Sequence, residues 1–367
     1  MVLTKKSVQL LRRTRINGAH IQIFHYRPQG GGHLSYAHRI IPITFRNHLT
    51  ITKDIWRCKS HLGFNRQGTL TLSQIREATM PLSTQTIGTQ TQTFEHQVDA
   101  RWLMAYAASL GDLNPHYMNT TRPIFGHPVF PVCLEWPSIL ATRELANAGG
   151  LTDAESAMGV HATHDLHIFR PIRGEEILRT QATVVDVQGI RPGAASVMRL
   201  DTWDEQGELV SQTYQTSIYR GVEITRDGGH APMAIPAIPE QAAGFELAST
   251  VTIPVDGGLA HTYSECAHIW NPIHTDKAVA LAAGLPDIIL HGTATLALAV
   301  SALVDHCLGG EPDRVTRLGG RFAAMVMMPS DITLQIGKPA DGCIGYRVLN
   351  AAGQEAISQG FLEFRQP

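Results

Sequence analysis

The residues best suited to chemistry sit in one short stretch, Tyr263-Ser-Glu-Cys-Ala-His-Ile-Trp-Asn-Pro-Ile-His274, and in the apolar segment that begins at His291-Gly292. Asn271-Pro272 fixes a tight turn, because proline presets its φ and an asparagine side chain bonds readily to backbone two residues on. Such a turn can hold the imidazole of His274 at the mouth of whatever lies behind it. An imidazole is the side chain whose ordinary pKa suits proton transfer near neutral pH.

The stretch occurs twice. Tyr106-Ala-Ala-Ser-Leu-Gly-Asp-Leu-Asn-Pro-His-Tyr117 overlies it without gaps at a constant offset of 157 residues, so that Tyr, Asn and Pro coincide. Asp112 then falls on Ile269, and Tyr117 falls on His274. Asp204-Glu-Gln-Gly207 and Asn350-Ala-Ala-Gly353 are hairpin signals between β-rich runs, one in each half. Residues 93–367 therefore read as two copies of one unit of about 130 residues, an ordinary domain size.

Each copy needs the same elements to position its turn. A β-like run (93–98; 246–254) leads to a helical stretch and the Asn-Pro turn, then to a longer apolar helix and several strands. In the second copy Thr275-Asp276 caps a helix through Ala283 and Gly284 ends it. The segment from about Gly292 to His306 is apolar on nearly every face, as a helix wrapped by sheet must be. Strands are expected at 320–328, 331–338, 343–350 and 355–364. The first copy repeats the plan with a helix over 132–148 and strands at 161–169, 176–187, 195–203 and 209–219. One long helix wrapped by an antiparallel sheet, twice, is an α+β architecture.

A chain of 367 residues, 43% hydrophobic and 17% charged, is long enough for two buried cores. Its net charge of −2 hides a split. Residues 1–79 carry 13 Lys and Arg against 2 acids, and residues 80–367 carry 17 against 30. The basic segment shows no sustained period, although Val8 to Arg15 is expected to make one or two helical turns. It is read as a disordered or non-native extension, with Met80 as the start, in preference to a mitochondrial leader or a nucleic-acid-binding arm. A Thr/Gln-rich linker, 81–92, follows it. The expected organisation is thus 1–92 extension and linker, 93–225 first copy, 226–245 linker and 246–367 second copy.

No signal-peptide core is visible, and the longest apolar run, 293–304, is too short to span a bilayer. Five cysteines without a CxxC pair point to a reducing compartment and away from a zinc site.

On these motifs the second copy resembles the MaoC-like, (R)-specific enoyl-CoA hydratase family, whose pattern is Asp-x-Asn-Pro-x-His ahead of a His-Gly that opens the central helix. The first copy resembles the N-terminal half of two-domain MaoC-like dehydratases. The resemblance implies a double hotdog fold and reversible addition of water to a trans-2-enoyl thioester, with coenzyme A thioester as substrate and neither cofactor nor metal. In that reading His274 is the catalytic base, and the Gly292 N–H, after His291, meets the thioester oxygen. Arg321, with Arg314 and Arg317 near it, is the candidate for the coenzyme A phosphates.

The pattern is incomplete in both copies. Ile269 stands where the family has Asp, and Tyr117 where it has His. Three readings follow: His274 works with a substitute drawn from His268, Glu265 or Asp276; Asp112 joins His274 from the other copy; or hydration is lost and the slot only binds acyl thioesters. Asn271 is equally a turn residue and a substrate contact, Asp112 reads more readily as a turn residue than as a base, and Tyr106 and Tyr263 read as packing anchors. A hotdog thioesterase is the alternative enzyme. The expected partner is an acyl-CoA, with a homodimer left open, and with no nucleic acid or membrane. The expected compartment is the cytoplasm, or the mitochondrion if the basic leader is a targeting segment.

Overall fold

A computed structural model describes residues 8–16, 19–26, 81–148, 151–152, 155, 159–226 and 228–366. The chain divides into two compact units, Met1–Ile75 and Arg76–Pro367. In the first unit β1 (Val8–Ile16) pairs antiparallel with β2 (Ala19–Tyr26), with a register shift between Leu10 and Arg12. The helical turn expected at Val8 to Arg15 is therefore wrong. β-branched residues recur through both runs, and Asn17-Gly18 between them is a strong hairpin dipeptide. The rest of the expected extension, Met80 included, lies outside the described residues.

The second unit is built on a ten-stranded sheet. Its first half comprises β4 (Phe94–Val98), β5 (Val160–Ile168), β6 (Glu176–Ile190), β7 (Gly193–Trp203) and β8 (Leu209–Arg220). Its second half comprises β10 (Leu247–Val255), β11 (Val315–Phe322), β12 (Ser330–Gly337), β13 (Cys343–Leu349) and β14 (Glu355–Phe364). The order β10-β12-β13-β14-β11-β5-β8-β7-β6-β4 is the same five-strand arrangement laid down twice about a two-fold axis through the β5/β11 seam. Antiparallel pairing there runs from Arg317↔His167 to Arg321↔Thr163. Arg317, buried, locks the seam with a bidentate bond to Asp165, both nitrogen–oxygen distances being 2.8 Å, and a further bond to the Ala237 carbonyl. Glycine at 319 lets the strands close up, since a Cβ there would lie 2.3 Å from the His164 carbonyl oxygen.

Within each half the short helix that precedes the Asn-Pro turn, α1 (Ala100–Ser109) or α5 (Leu259–Ala267), leads on to a long helix. These are α3 (Pro131–Ala148), after the short α2 (Pro115–Met118), and α7 (Gly292–Cys307), after α6 (Lys277–Ala282). On α7, residues 294–300 are all buried, with Leu303 and Val304. One hydrophobic core runs through both halves and joins Leu103, Tyr106 and Phe130 to Tyr263, Val300 and Leu334. This is the expected double hotdog.

The stretch 81–92 is packed against the sheet and is no loose linker. β3 (Leu82–Ser83) pairs in parallel with β9 (Ile224–Thr225). Leu82 and Ile87 are buried against Val184, Tyr219 and Val222, so apolar burial within a Thr/Gln-rich sequence fixes the segment. The connection before the second half contains α4 (Glu240–Ala243), whose Ala242 packs on Cys343 and Phe361. No helix among the described residues is long and apolar enough to cross a membrane.

Candidate active site

His274 owes its position to a chain of local bonds. α5 ends at His268, which adopts the left-handed conformation (φ 57°), and the Ile269 N–H returns to the Ser264 carbonyl. The Asn271 side chain then accepts the Ile273 N–H and its carbonyl accepts the His274 N–H, while Asp276 caps α6 by accepting from Ala278 and Val279. His274 therefore arrives on a turn tied down on both sides. Its Nδ1 is 2.8 Å from the Ile289 carbonyl oxygen. A carbonyl only accepts, so Nδ1 carries the proton and Nε2 keeps its lone pair.

The His291 ring lies face to face with His274, centroids 3.8 Å apart and planes 28° from parallel. His291 is buried, at 2% exposure, immediately before the first residue of α7. Its Nε2 is 3.1 Å from the Ser264 hydroxyl, and Tyr263 packs at 5.0 Å between centroids. Tyr263 donates its hydroxyl to Thr293 at 3.1 Å and meets the Tyr106 hydroxyl at 3.4 Å, so the two repeated tyrosines, both fully buried, touch across the pseudo-two-fold axis. Burial pushes the His274 pKa down to about 4, against the pull of the Ile289 carbonyl. Burial, with the neighbouring His274, pushes His291 well down too. Both rings are neutral at ordinary pH, which leaves the Nε2 lone pair of His274 unprotonated. Gly292 opens α7 with a first-turn N–H that has no partner within the helix. A Cβ on Gly292 would come 3.1 Å from the Phe322 ring, so only glycine keeps that N–H approachable without moving the ring.

The other candidates divide. Asn271 holds the turn. The His268 ring is stacked between Trp102 (4.4 Å) and Trp270 (5.4 Å), and Asp276 is engaged as a cap, so neither is turned to His274 as a substitute acid. Glu265 is exposed and Ile269 is buried at 5% exposure, leaving an aliphatic side chain where a carboxylate was expected. Asp112 accepts the Asn114 N–H and lines a separate cleft of about 610 Å³ with Ser301 and Asp305 of α7. From Gly292 to Asp305 the helix rises about 20 Å at 1.5 Å per residue, so Asp112 and His274 serve opposite ends of α7. The pairing of Asp112 with His274, one of the three readings of the incomplete pattern, is thus not formed. Of the arginines, Arg317 is spent on the seam and Arg314 bonds the carbonyls of Arg365 and Leu308, whereas Arg321 is exposed on β11.

Two partners were not foreseen from sequence. The Ile289 carbonyl has no sequence signal at all. Ser264 has one, because the first copy carries Ala107 at the equivalent position. In the first copy, Tyr117 is fully buried beside His127, whose rings lie 5.5 Å apart. The Val129 N–H donates to His127 Nδ1, so its Nε2–H points to Ser301, 3.1 Å away.

Residues 96–221 match the MFE-2 hydratase 2 N-terminal domain, and residues 237–348 match the MaoC like domain. The chain is 28% identical over 187 residues to an enoyl-CoA hydratase of Mycobacterium tuberculosis, covering 51% of this chain and 63% of that protein. It is 24% identical to 3-hydroxyacyl-thioester dehydratase Y of the same organism, over 78% of this chain and 99% of that one. A peroxisomal multifunctional enzyme type 2 of Drosophila melanogaster is 25% identical, and the chain spans only 34% of its length. In fold, the chain is similar to a MaoC-like dehydratase from Phytophthora capsici, with a TM-score of 0.65 at 19% identity over 77% of this chain and 97% of that one. With one half matched to each of these two domain types and the paired fold that goes with them, the chain belongs to the MaoC-like, hydratase 2-type family.

Proposed function

We propose that the chain adds water reversibly to a trans-2-enoyl-CoA, with His274 as base and the first turn of α7 as the oxyanion site. One observation carries this reading: Nδ1 of His274 is committed to the Ile289 carbonyl, which leaves the Nε2 lone pair free for a water proton beside the start of α7. The water oxygen bonds to the β-carbon as its proton passes to Nε2. The double-bond electrons move onto the thioester oxygen, where the Gly292 N–H stabilises the charge. They return as the α-carbon takes up a proton, which completes the addition of H and OH. Arg321, exposed on the strand that also carries Phe322, is assigned to the coenzyme A phosphates. The chemistry calls on no cofactor. A reducing compartment such as the cytoplasm is assigned from the five cysteines, which include no CxxC pair. The hydratase and dehydratase names of the relatives support the same reaction class.

The test follows loss of the enoyl absorbance of crotonyl-CoA and of longer and branched 2-enoyl-CoAs, with free thiol assayed alongside. Hydration without thiol release is expected. Thiol release in its place would make the chain a thioesterase. The buried Ile269 supports a second reading, a non-catalytic acyl-CoA-binding module, and tight binding with no turnover on the whole panel would establish it.

A further inference from the structure

The second half has lost the carboxylate that its family pattern sets before the histidine, and the ring that packs on His274 is that of His291, from the His-Gly step. That ring is held in turn. Ser264, 1% exposed, bonds His291 Nε2 at 3.1 Å, while Nδ1 faces the Ile269 backbone at a geometry too poor for a regular hydrogen bond. Tyr263 and the helix start close the remaining sides. The two copies differ together at these positions: the first has Ala107 with Asp112, the second Ser264 with Ile269. A buried hydroxyl thus enters the structure in the same half that loses the acid.

We infer that Ser264 is a positioning residue, which fixes the His291 ring so that its face sets the plane of His274 in place of the missing carboxylate. Resting on the hydratase reading, this leaves His274 as the one group that handles the proton. Nε2 takes it from water as the carbon–oxygen bond forms, and gives it to the α-carbon as the enolate collapses, which restores the neutral imidazole and adds H and OH to the same face.

The test is Ser264→Ala and Ile269→Asp, alone and combined, assayed on crotonyl-CoA with thermal unfolding of each variant. Misplacing a reacting group by about 1 Å costs up to about 100-fold in rate, so Ser264→Ala is expected to lower kcat by roughly 10- to 100-fold with KM within about threefold. Ile269→Asp is expected to raise kcat by at least about fivefold more in that background than in the parent, a dependence that a merely structural Ser264 would not show. Ser264→Ala within twofold of the parent kcat, or a gain from Ile269→Asp no larger in that background than in the parent, overturns the proposal. Histidine ¹⁵N NMR of the parent and of Ser264→Ala reads the His274 tautomer without turnover. The parent should show Nδ1–H alone, and the variant a mixture; identical spectra overturn the proposal even if the double variant does not fold. If the parent hydrates nothing but the tautomer still shifts in Ser264→Ala, the hydratase reading fails and the positioning role stands.

Discussion

The two Asn-Pro turns share a backbone plan and have diverged in what they present. Gly111 and His268 occupy the same left-handed position, at φ 71° and 57°. Glycine adopts it at no steric cost, whereas a side chain there costs about 1 kcal/mol, and His268 recovers contact by stacking between two tryptophans. One residue on, Asp112 faces a cleft and Ile269 enters the core. At the end of the turn, Tyr117 is sealed inside while His274 keeps a free nitrogen. Duplication preserved the scaffold of the turn and divided its side chains, the carboxylate staying in one half and the histidine in the other, at opposite ends of α7.

The sharpest way to break this picture is to remove one member from each half. His274→Ala is expected to lower kcat/KM by about 10²–10⁴-fold, the usual cost of a lost general base, while Asp112→Asn stays within about threefold, both measured on crotonyl-CoA. Equal losses would mean that the halves share one site. At the seam, Arg317→Ala leaves the buried Asp165 with only His167, 3.4 Å away, and should cost up to about 3–5 kcal/mol in denaturant titration. A cost below about 1 kcal/mol would show that the halves do not lean on that pair.

The buried histidines give a smaller, graded effect. His127 and His164 in the first half and His274 in the second are pushed down to about 4 by burial, so between pH 6.5 and 4 the unfolded chain binds protons that the native chain refuses. Stability should be full above pH 6.5 and fall as pH drops through that window, by up to about 1.4 kcal/mol per pH unit for each histidine. Glu135, buried on α3 and pushed up to about 7, opposes this, since its contribution is present at low pH and is lost as pH rises towards 7. Urea midpoints across pH 4–8 should therefore rise with pH overall and steepen in Glu135→Gln; midpoints that fall with rising pH would contradict the burial of these rings. The smallest effect is expected at the axis. Tyr106→Phe removes one long hydrogen bond, so about 1 kcal/mol or less of stability should go, with kcat nearly unchanged.

Much of the strand pattern was legible because apolar periodicity and hairpin residues are local. The strand expected at 355–364 matches β14, the helix expected over 132–148 starts one residue from α3, and that from Gly292 ends one residue beyond expectation. The strand expected at 320–328 is instead β11 at Val315–Phe322, because its bounds are set by pairing with β5 and β14, which no local pattern reports. The linker expected at 81–92 is packed on the sheet for the same reason: two buried apolar residues, Leu82 and Ile87, outweigh a polar composition.

By itself, the sequence determined the duplication, the α+β plan, the turn that carries His274 and the absence of a carboxylate at 269. Each of these lies in residue type and spacing. Only the tertiary structure decided which nitrogen of His274 is free, what stands against its ring, and that Asp112 lies at the far end of α7. Those depend on groups distant along the chain, the Ile289 carbonyl, Ser264 with His291, and Ser301 with Asp305, which meet only when strands and helices close around one core.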